Sequence, residues 1–316
     1  KDALRKSKTF IQNIHHYRDD ALNNPSPPLE KVVIFDESQR AWDLQQTASF
    51  KIRKKNIPDF DKSEPEFLIG VLDRHEDWST IICLVGGGQE INKGEGGIVE
   101  WFSAVKKKFP HWNVYLSSEI QETEYTRGEN LDELLDGIKV EFSDELHLKT
   151  SIRSFRSENV SNFVKALLDI NTNEAASLYN ELKTKYPIVM TRDFKIAKKW
   201  LQTKMRGTER IGVLASSNAF RLMPEGIVIE KDVDPPNWFL NPKKDIRSSY
   251  FLETPATEFD IQGLELDWAC VGWDLDFYRK NGEWEYRNFK GTKWMQTRHK
   301  LYLKNSYRVL LTRARQ

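Results

Sequence analysis

The sequence is poor in the features that mark several classes of protein. Only two of its 316 residues are cysteines, Cys83 and Cys270, and both lie inside apolar runs. A disulfide scaffold is thereby excluded, and a reducing compartment fits. No run approaches the ~18 consecutive apolar residues of a spanning helix, so no membrane partner is expected. The 48 Lys and Arg residues are balanced by 47 Asp and Glu residues, leaving a net charge of +1. A whole-molecule positive field is absent, and any case for nucleic acid must rest on local patches. The His15–His16 pair lacks the Cys or carboxylate spacing of a zinc site and reads as structural. Lys1 to Lys8 is charged and leads to no small-residue cleavage site, so no secretory leader is read and a cytoplasmic location is expected. No internal repeat is visible.

Aromatic residues are plentiful, with 10 Trp, 10 Tyr and 17 Phe. They are enough to build more than one core and exclude long disorder. The length suggests about two domains. Short apolar runs at Val32–Phe35, Ile81–Val85, Val114–Leu116, Ile188–Met190, Ile211–Leu214 and Ala269–Trp273 alternate with longer polar stretches. Those stretches, such as Gly97–Lys108, Asn159–Asp169 and Phe194–Lys204, are helix-like. The pattern predicts an α/β fold with parallel sheets covered by helices. The acidic stretch Glu119–Asp144, with a short helix-like piece at Leu131–Leu135, is the candidate connection between domains.

Two strand ends carry chemistry. Val32–Phe35 runs into Asp36-Glu-Ser-Gln39, placing two carboxylates at the edge where parallel sheets bind ligands. Asp36 could hold Mg2+ through water, and Glu37 could polarise an attacking water. The same pattern also fits a strand that ends in a solvated acidic turn. Further on, Leu84-Val85 runs into Gly86-Gly-Gly-Gln89. Glycines let a backbone approach phosphate, and Gln89 could sense a phosphate or orient water. A plain glycine turn is the alternative, and the spacing is wrong for a dinucleotide fingerprint. Gly94-Glu-Gly-Gly97 then adds flexibility. In the second half, Ser151-Ile-Arg-Ser-Phe-Arg156, Thr257–Glu265 and Tyr307–Arg315 supply a tight glycine and several arginines, the usual partners of phosphate oxygens.

In this order the segments resemble the motifs of superfamily 1 helicases. More closely, they are similar to bacterial predicted ATPases with a schlafen-type helicase domain. Asp36–Gln39 resembles Walker B, usually DEAQ, with Gln39 in the last place. Gly86, Gly88 and Gln89 fall in a segment similar to motif III, although Gly87 stands where Asp is usual. Ser151–Ser154 resembles motif IV, with Arg153 as the γ-phosphate arginine. Gln262-Gly-Leu-Glu265 resembles motif V, bringing in Gly263 and Glu265, and Thr312-Arg-Ala314 resembles motif VI, with Arg313 as arginine finger. Such a finger is worth roughly 10³ to 10⁵ in turnover.

The resemblance implies two RecA-like domains, residues 1–145 and 146–316, with ATP and Mg2+ as cofactors. Asp36, Gln39, Gly86, Gly88, Gly263 and Glu265 then bind the nucleotide and its Mg2+. Glu37, Gln89, Arg153 and Arg313 carry catalysis in the interlobe cleft. Single-stranded nucleic acid is the implied partner, with a fused or associated nuclease as a further one. Lys51–Lys55, Lys106–Lys108 with Trp112, and Lys195–Trp200 are candidate contacts, or else solvated helix faces around core aromatics. The Walker A loop, G-x-x-x-x-G-K-[ST], occurs nowhere in the sequence. The reading is therefore of a fragment that begins after that loop, with an incomplete first domain and no ATPase activity by itself. Short intervals between the motifs leave no room for large duplex-engaging insertions, so remodelling or single-strand translocation is expected rather than strong strand separation. The alternative is a non-hydrolysing nucleic-acid-binding or regulatory module with a decayed site.

Overall fold

A computed structural model describes residues 11–55, 60–86, 91, 94–121, 123–126, 128–148, 155–229, 233–297 and 299–315. The fold is mixed α/β, with three small parallel sheets flanked by helices and one antiparallel sheet among the described residues. The chain divides into two compact units, Lys1–Leu148 and Lys149–Gln316.

The first unit runs α1 (Ile14–Asn23), β1 (Val32–Phe35), α2 (Leu44–Lys55), α3 (Glu64–Leu72), β2 (Thr80–Cys83), α4 (Gly97–Lys108), β3 (Asn113–Leu116), α5 (Thr123–Thr126), α6 (Leu131–Leu135) and β4 (Lys139–Phe142). Strands β1 and β2 pair in parallel with Val32 opposite Thr80 and Phe35 opposite Cys83, and β3 pairs in parallel with β4. Helix α3 starts where the sequence puts a cap: the Ser63 hydroxyl accepts the Glu66 N–H, and Pro65 stands in the first turn. Helix α4 buries Ile98, Trp101, Phe102, Ala104 and Val105 on one face and ends in Lys106–Lys108, whose charge suits a helix C-terminus.

Because side chains alternate along a strand, Val33, Phe35, Ile81 and Cys83 share one face. That face packs on Phe67, Leu68, Leu72, Trp101 and Val105. On the other face Val32, Ile34 and Ile82 are 46%, 61% and 40% exposed. The expectation of helices on both faces therefore holds for one face of this sheet among the described residues.

The second unit runs α7 (Phe155–Leu168), α8 (Thr172–Leu182), α9 (Phe194–Lys204), β5 (Ile211–Ala215), α10 (Pro235–Leu240), β6 (Trp268–Gly272), β7 (Phe277–Lys280), β8 (Glu283–Lys290), β9 (Lys293–Gln296) and α11 (Lys300–Leu311). Every residue of β5 is buried, and it pairs in parallel with β6 from Ile211–Trp268 to Ala215–Gly272. Gly212 allows close approach here, since a Cβ would come within 2.9 Å of Leu266 and Trp238. Helix α9 is capped by the Asp193 carboxylate, which accepts the Lys195 and Ile196 amides.

Two elements differ from expectation. Ile188–Met190 forms no strand; it follows Pro187, which has no amide to donate, and Met190 is 96% exposed. Strands β7–β9 form an antiparallel meander, where only parallel pairing was expected. Its first turn is Asn281-Gly282, both at positive φ (51° and 89°), as a two-residue hairpin of this hand requires.

Candidate active site

In the first unit, β1 delivers Asp36 and Glu37 to solvent beyond its C-terminal end. The turn is built by its neighbours. The Ser38 hydroxyl donates to the Phe35 carbonyl at 2.7 Å, and the Ser38 amide donates to the Leu84 carbonyl at 2.9 Å. The Trp101 indole N–H donates to the Ser38 carbonyl at 2.8 Å. Glu37 sits in the left-handed region (φ 51°, ψ 42°), an uncommon place for a residue with a Cβ and one that marks a locally imposed conformation. Its amide donates to Asp36 Oδ1 at 2.9 Å, leaving Asp36 Oδ2 at the exposed end of the strand.

Gln39 is 1% exposed, and both ends of its amide are used. Its Nε2 donates to Glu37 Oε2 at 2.6 Å, and its Oε1 accepts the Gly86 amide at 3.1 Å. One buried side chain thus fixes the outer carboxylate and the start of the glycine segment that follows β2. Gly88, Gln89 and Arg153 lie outside the described residues.

The far side of the glycine segment is also tied to this turn. Arg40 Nε donates to Glu95 Oε1 at 3.0 Å, and the Ile91 amide donates to Glu95 Oε2 at 2.8 Å. Backbone bonds from Asp43 to Gly94 and from Gly96 to Ala41, both 2.7 Å, zip the two segments together. The glycines of 94–97 serve packing here and not the expected flexibility. Gly94 has φ +85°, and a Cβ on it would lie 2.5 Å from Gln46 Cβ.

In the second unit the motif V-like and motif VI-like segments are brought together. Gly263 has φ +70° with open space around it, so the backbone angle is what calls for glycine there. Arg315 Nε donates to Glu265 Oε2 at 2.7 Å, and Leu266 forms a parallel bridge with Ala314. Arg313 is 4% exposed, and its carbonyl accepts the Leu266 amide at 2.9 Å.

The same unit holds a buried polar cluster that the sequence reading missed. Asp276 Oδ1 accepts the Tyr307 hydroxyl at 2.6 Å, and Oδ2 accepts the Ser216 hydroxyl at 3.2 Å. Glu258 accepts both the amide and the hydroxyl of Ser217. Burial pushes the Asp276 carboxyl up to about 6 and raises Glu258 and Asp274 as well. The available signal was Asp274-Leu-Asp276 directly after an apolar strand, a position where charges are rarely left unsatisfied.

The candidate nucleic-acid contacts sit as follows. The side chains of Lys51–Lys55 lie outside the described residues. The Trp112 indole N–H donates to Asp73 Oδ1 at 2.7 Å, and Trp200 packs edge-on against Trp268. Those two indoles belong to packing, while Lys107, Lys108, Lys195 and Lys199 are exposed. Burial raises the Cys83 thiol to about 12 and the Cys270 thiol to about 11, so both are poor nucleophiles. Among the described residues there is no group of three or more His, Cys, Asp or Glu side chains that could hold a metal ion. No helix among them is long and apolar enough to cross a membrane.

These features define an α/β protein with hydrogen-bonded polar turns at the ends of parallel strands. The chain belongs to the Schlafen group 3 DNA/RNA helicase domain family, whose model matches residues 1–316. That membership makes it helicase-like, within a superfamily of nucleic-acid-associated ATPases. No curated protein and no solved structure shows a significant match.

Proposed function

We propose that this chain is the core of an ATP-dependent nucleic-acid motor or remodelling ATPase, with the two units as RecA-like domains. The observation that carries the reading is Gln39, which joins Glu37 to the Gly86 amide at the ends of two parallel strands. A solvated acidic turn would have no use for a buried amide spanning 47 residues to fix its carboxylate.

The donor set fits Mg2+ bound with nucleotide. Mg2+ takes one or two carboxylates plus substrate phosphates, so a single strand-end aspartate suffices and no acidic cluster is needed. Asp36 would hold the ion through water, and Mg2+–ATP, when bound, supplies the scissile phosphoanhydride with its charge partly neutralised. Glu37, held by Gln39, is the base that takes a proton from the attacking water. Gln89 is assigned to sensing the γ-phosphate, and Arg153 and Arg313 to stabilising the charge that develops. Gly86, Gly88, Gly263 and Glu265 shape the loops around the nucleotide. Single-stranded nucleic acid is the partner, and remodelling or translocation the outcome.

The test is Glu37→Gln in the protein as expressed from its gene. Turnover of ATP is expected to fall by roughly 10² to 10⁴ while ATP binding is retained. Turnover at the wild-type rate would remove Glu37 as the base. A wild-type protein that binds single strands without hydrolysing ATP would favour a non-hydrolysing module.

A further inference from the structure

Glu95 is a carboxylate with 1% of its surface exposed, in a segment where the sequence promised only glycine flexibility. A buried carboxylate is costly unless it is paired and hydrogen-bonded. Here each oxygen has a distinct task. Oε1 takes the Arg40 guanidinium, and Oε2 takes the backbone amide of Ile91. Arg40 follows Gln39 directly in the chain, and Gln39 holds the Gly86 amide. Two consecutive side chains of one turn therefore fix both sides of the glycine segment: Gly86 directly, and Ile91 through Glu95. The backbone pairing of 41–43 with 94–96 keeps the two segments in register behind them.

From this geometry we infer that Arg40 and Glu95 are positioning residues that clamp the returning end of the glycine segment to the Asp36–Glu37 turn. The inference rests on the ATPase reading of that turn. Its physical content is coupling: with both ends held by the same turn, a shift of Glu37 on engaging a nucleotide moves Gly86 and Ile91 together. Without the Arg40–Glu95 link, the return end follows independently. Misplacement of groups around a reacting centre by about 1 Å can cost on the order of 10²-fold in rate. Neither side chain needs to touch substrate for that effect, so the loss belongs in turnover and not in ground-state affinity.

The experiment compares Arg40→Lys, Glu95→Gln and the double variant with Glu37→Gln, in the protein as expressed from its gene. Arg247→Ala serves as a control, since it removes an exposed ion pair with Asp245 in the other unit. Arg40→Lys keeps a cation beside Glu95, so a folded variant is available even where Glu95→Gln melts early. Each clamp variant is expected to lower kcat by roughly 10- to 100-fold with KM for ATP within about threefold. The double variant should be no worse than the worse single, because both remove one link. Hydrogen exchange should show lost protection at the Ile91 amide in each. Unchanged kcat in folded Arg40→Lys, with Glu37→Gln inactive, would overturn the clamp and leave the ATPase reading standing. Additive losses with KM rising in parallel would also overturn it, since they mark general destabilisation. Unimpaired turnover in Glu37→Gln would remove Glu37 as the base, and with it the clamp's role at this turn.

Discussion

Asp276 is a carboxylate in an environment far from what its type prefers. It is fully buried, and its two oxygens are served by the neutral hydroxyls of Tyr307 and Ser216, with the acids Asp274 and Glu258 close by. Burial is the largest cause of its shift from 3.8 to about 6; the Tyr307 hydrogen bond opposes it, and the negative charge of Asp274 adds to it. The folded protein thus keeps a proton that the unfolded chain releases. The stabilisation from that proton is complete below about pH 4 and is lost as pH rises through about 6, a swing of ~3 kcal/mol. Asp276→Asn keeps the shape and removes the ionisation. Thermal melts should show the wild type losing stability between about pH 4 and about pH 7, and the variant losing less and ending more stable at the upper end. Equal slopes in the two proteins would show that the carboxyl does not carry this dependence.

At the scale of elements, the aromatic cluster under the meander is what holds β7–β9 to their unit. Phe277 is fully buried, with ring centroids 4.2 Å from Trp284, 5.2 Å from Tyr286 and 5.2 Å from Tyr307. Phe277→Ala should cost ~3–5 kcal/mol, read as a lower urea midpoint. A cost under ~1 kcal/mol would mean the meander is not tied down through this ring. These strands also mark where the sequence stopped being legible. Val32–Phe35, Ile211–Leu214 and Ala269–Trp273 are short apolar runs that read as strands at sight, and the strands observed there match within one residue and meet a core. Gly97–Lys108 and Phe194–Lys204 read as helix-like from their polar, helix-forming composition, and both are helices over those bounds. In β8 the inward Trp284 and Tyr286 alternate with Glu285 and Arg287, so no apolar run announces the strand; Asn281-Gly282 was the usable signal. Ile188–Met190 had the composition of a strand without a partner to pair with. The candidate site divides the same way. Asp36, Glu37 and Gly86 could be picked out from strand ends and residue order. The bonds from Gln39 to Gly86 and from Arg40 to Glu95 join residues 47 and 55 positions apart, and only the folded sheet brings them together.

For the whole molecule, near-neutrality sets how a nucleic-acid partner would have to be held. With 48 basic and 47 acidic residues, there is no long-range attraction to gather a polyanion. On the proposed reading, binding would come from a few phosphate contacts at exposed lysines such as Lys107 and Lys108 in the first unit, or Lys195 and Lys199 in the second, whose neighbouring indoles, Trp112 and Trp200, are engaged in packing. A single strand held by about three to five such contacts should lose affinity with salt at a log–log slope of roughly −2 to −4, at ~0.7 per phosphate. Titrations of a labelled single strand at two ionic strengths measure that slope. Replacing Lys107 and Lys108 together by Gln should make it shallower by roughly 1.4, while leaving ATP turnover without nucleic acid unchanged. A slope near zero would mean that phosphate contacts do not hold the strand, and the motor would need an aromatic or partner-supplied grip. A much steeper slope would require more phosphate contacts than either pair of lysines supplies and would shift attention to Lys51–Lys55, a further cluster of positive charge in the first unit.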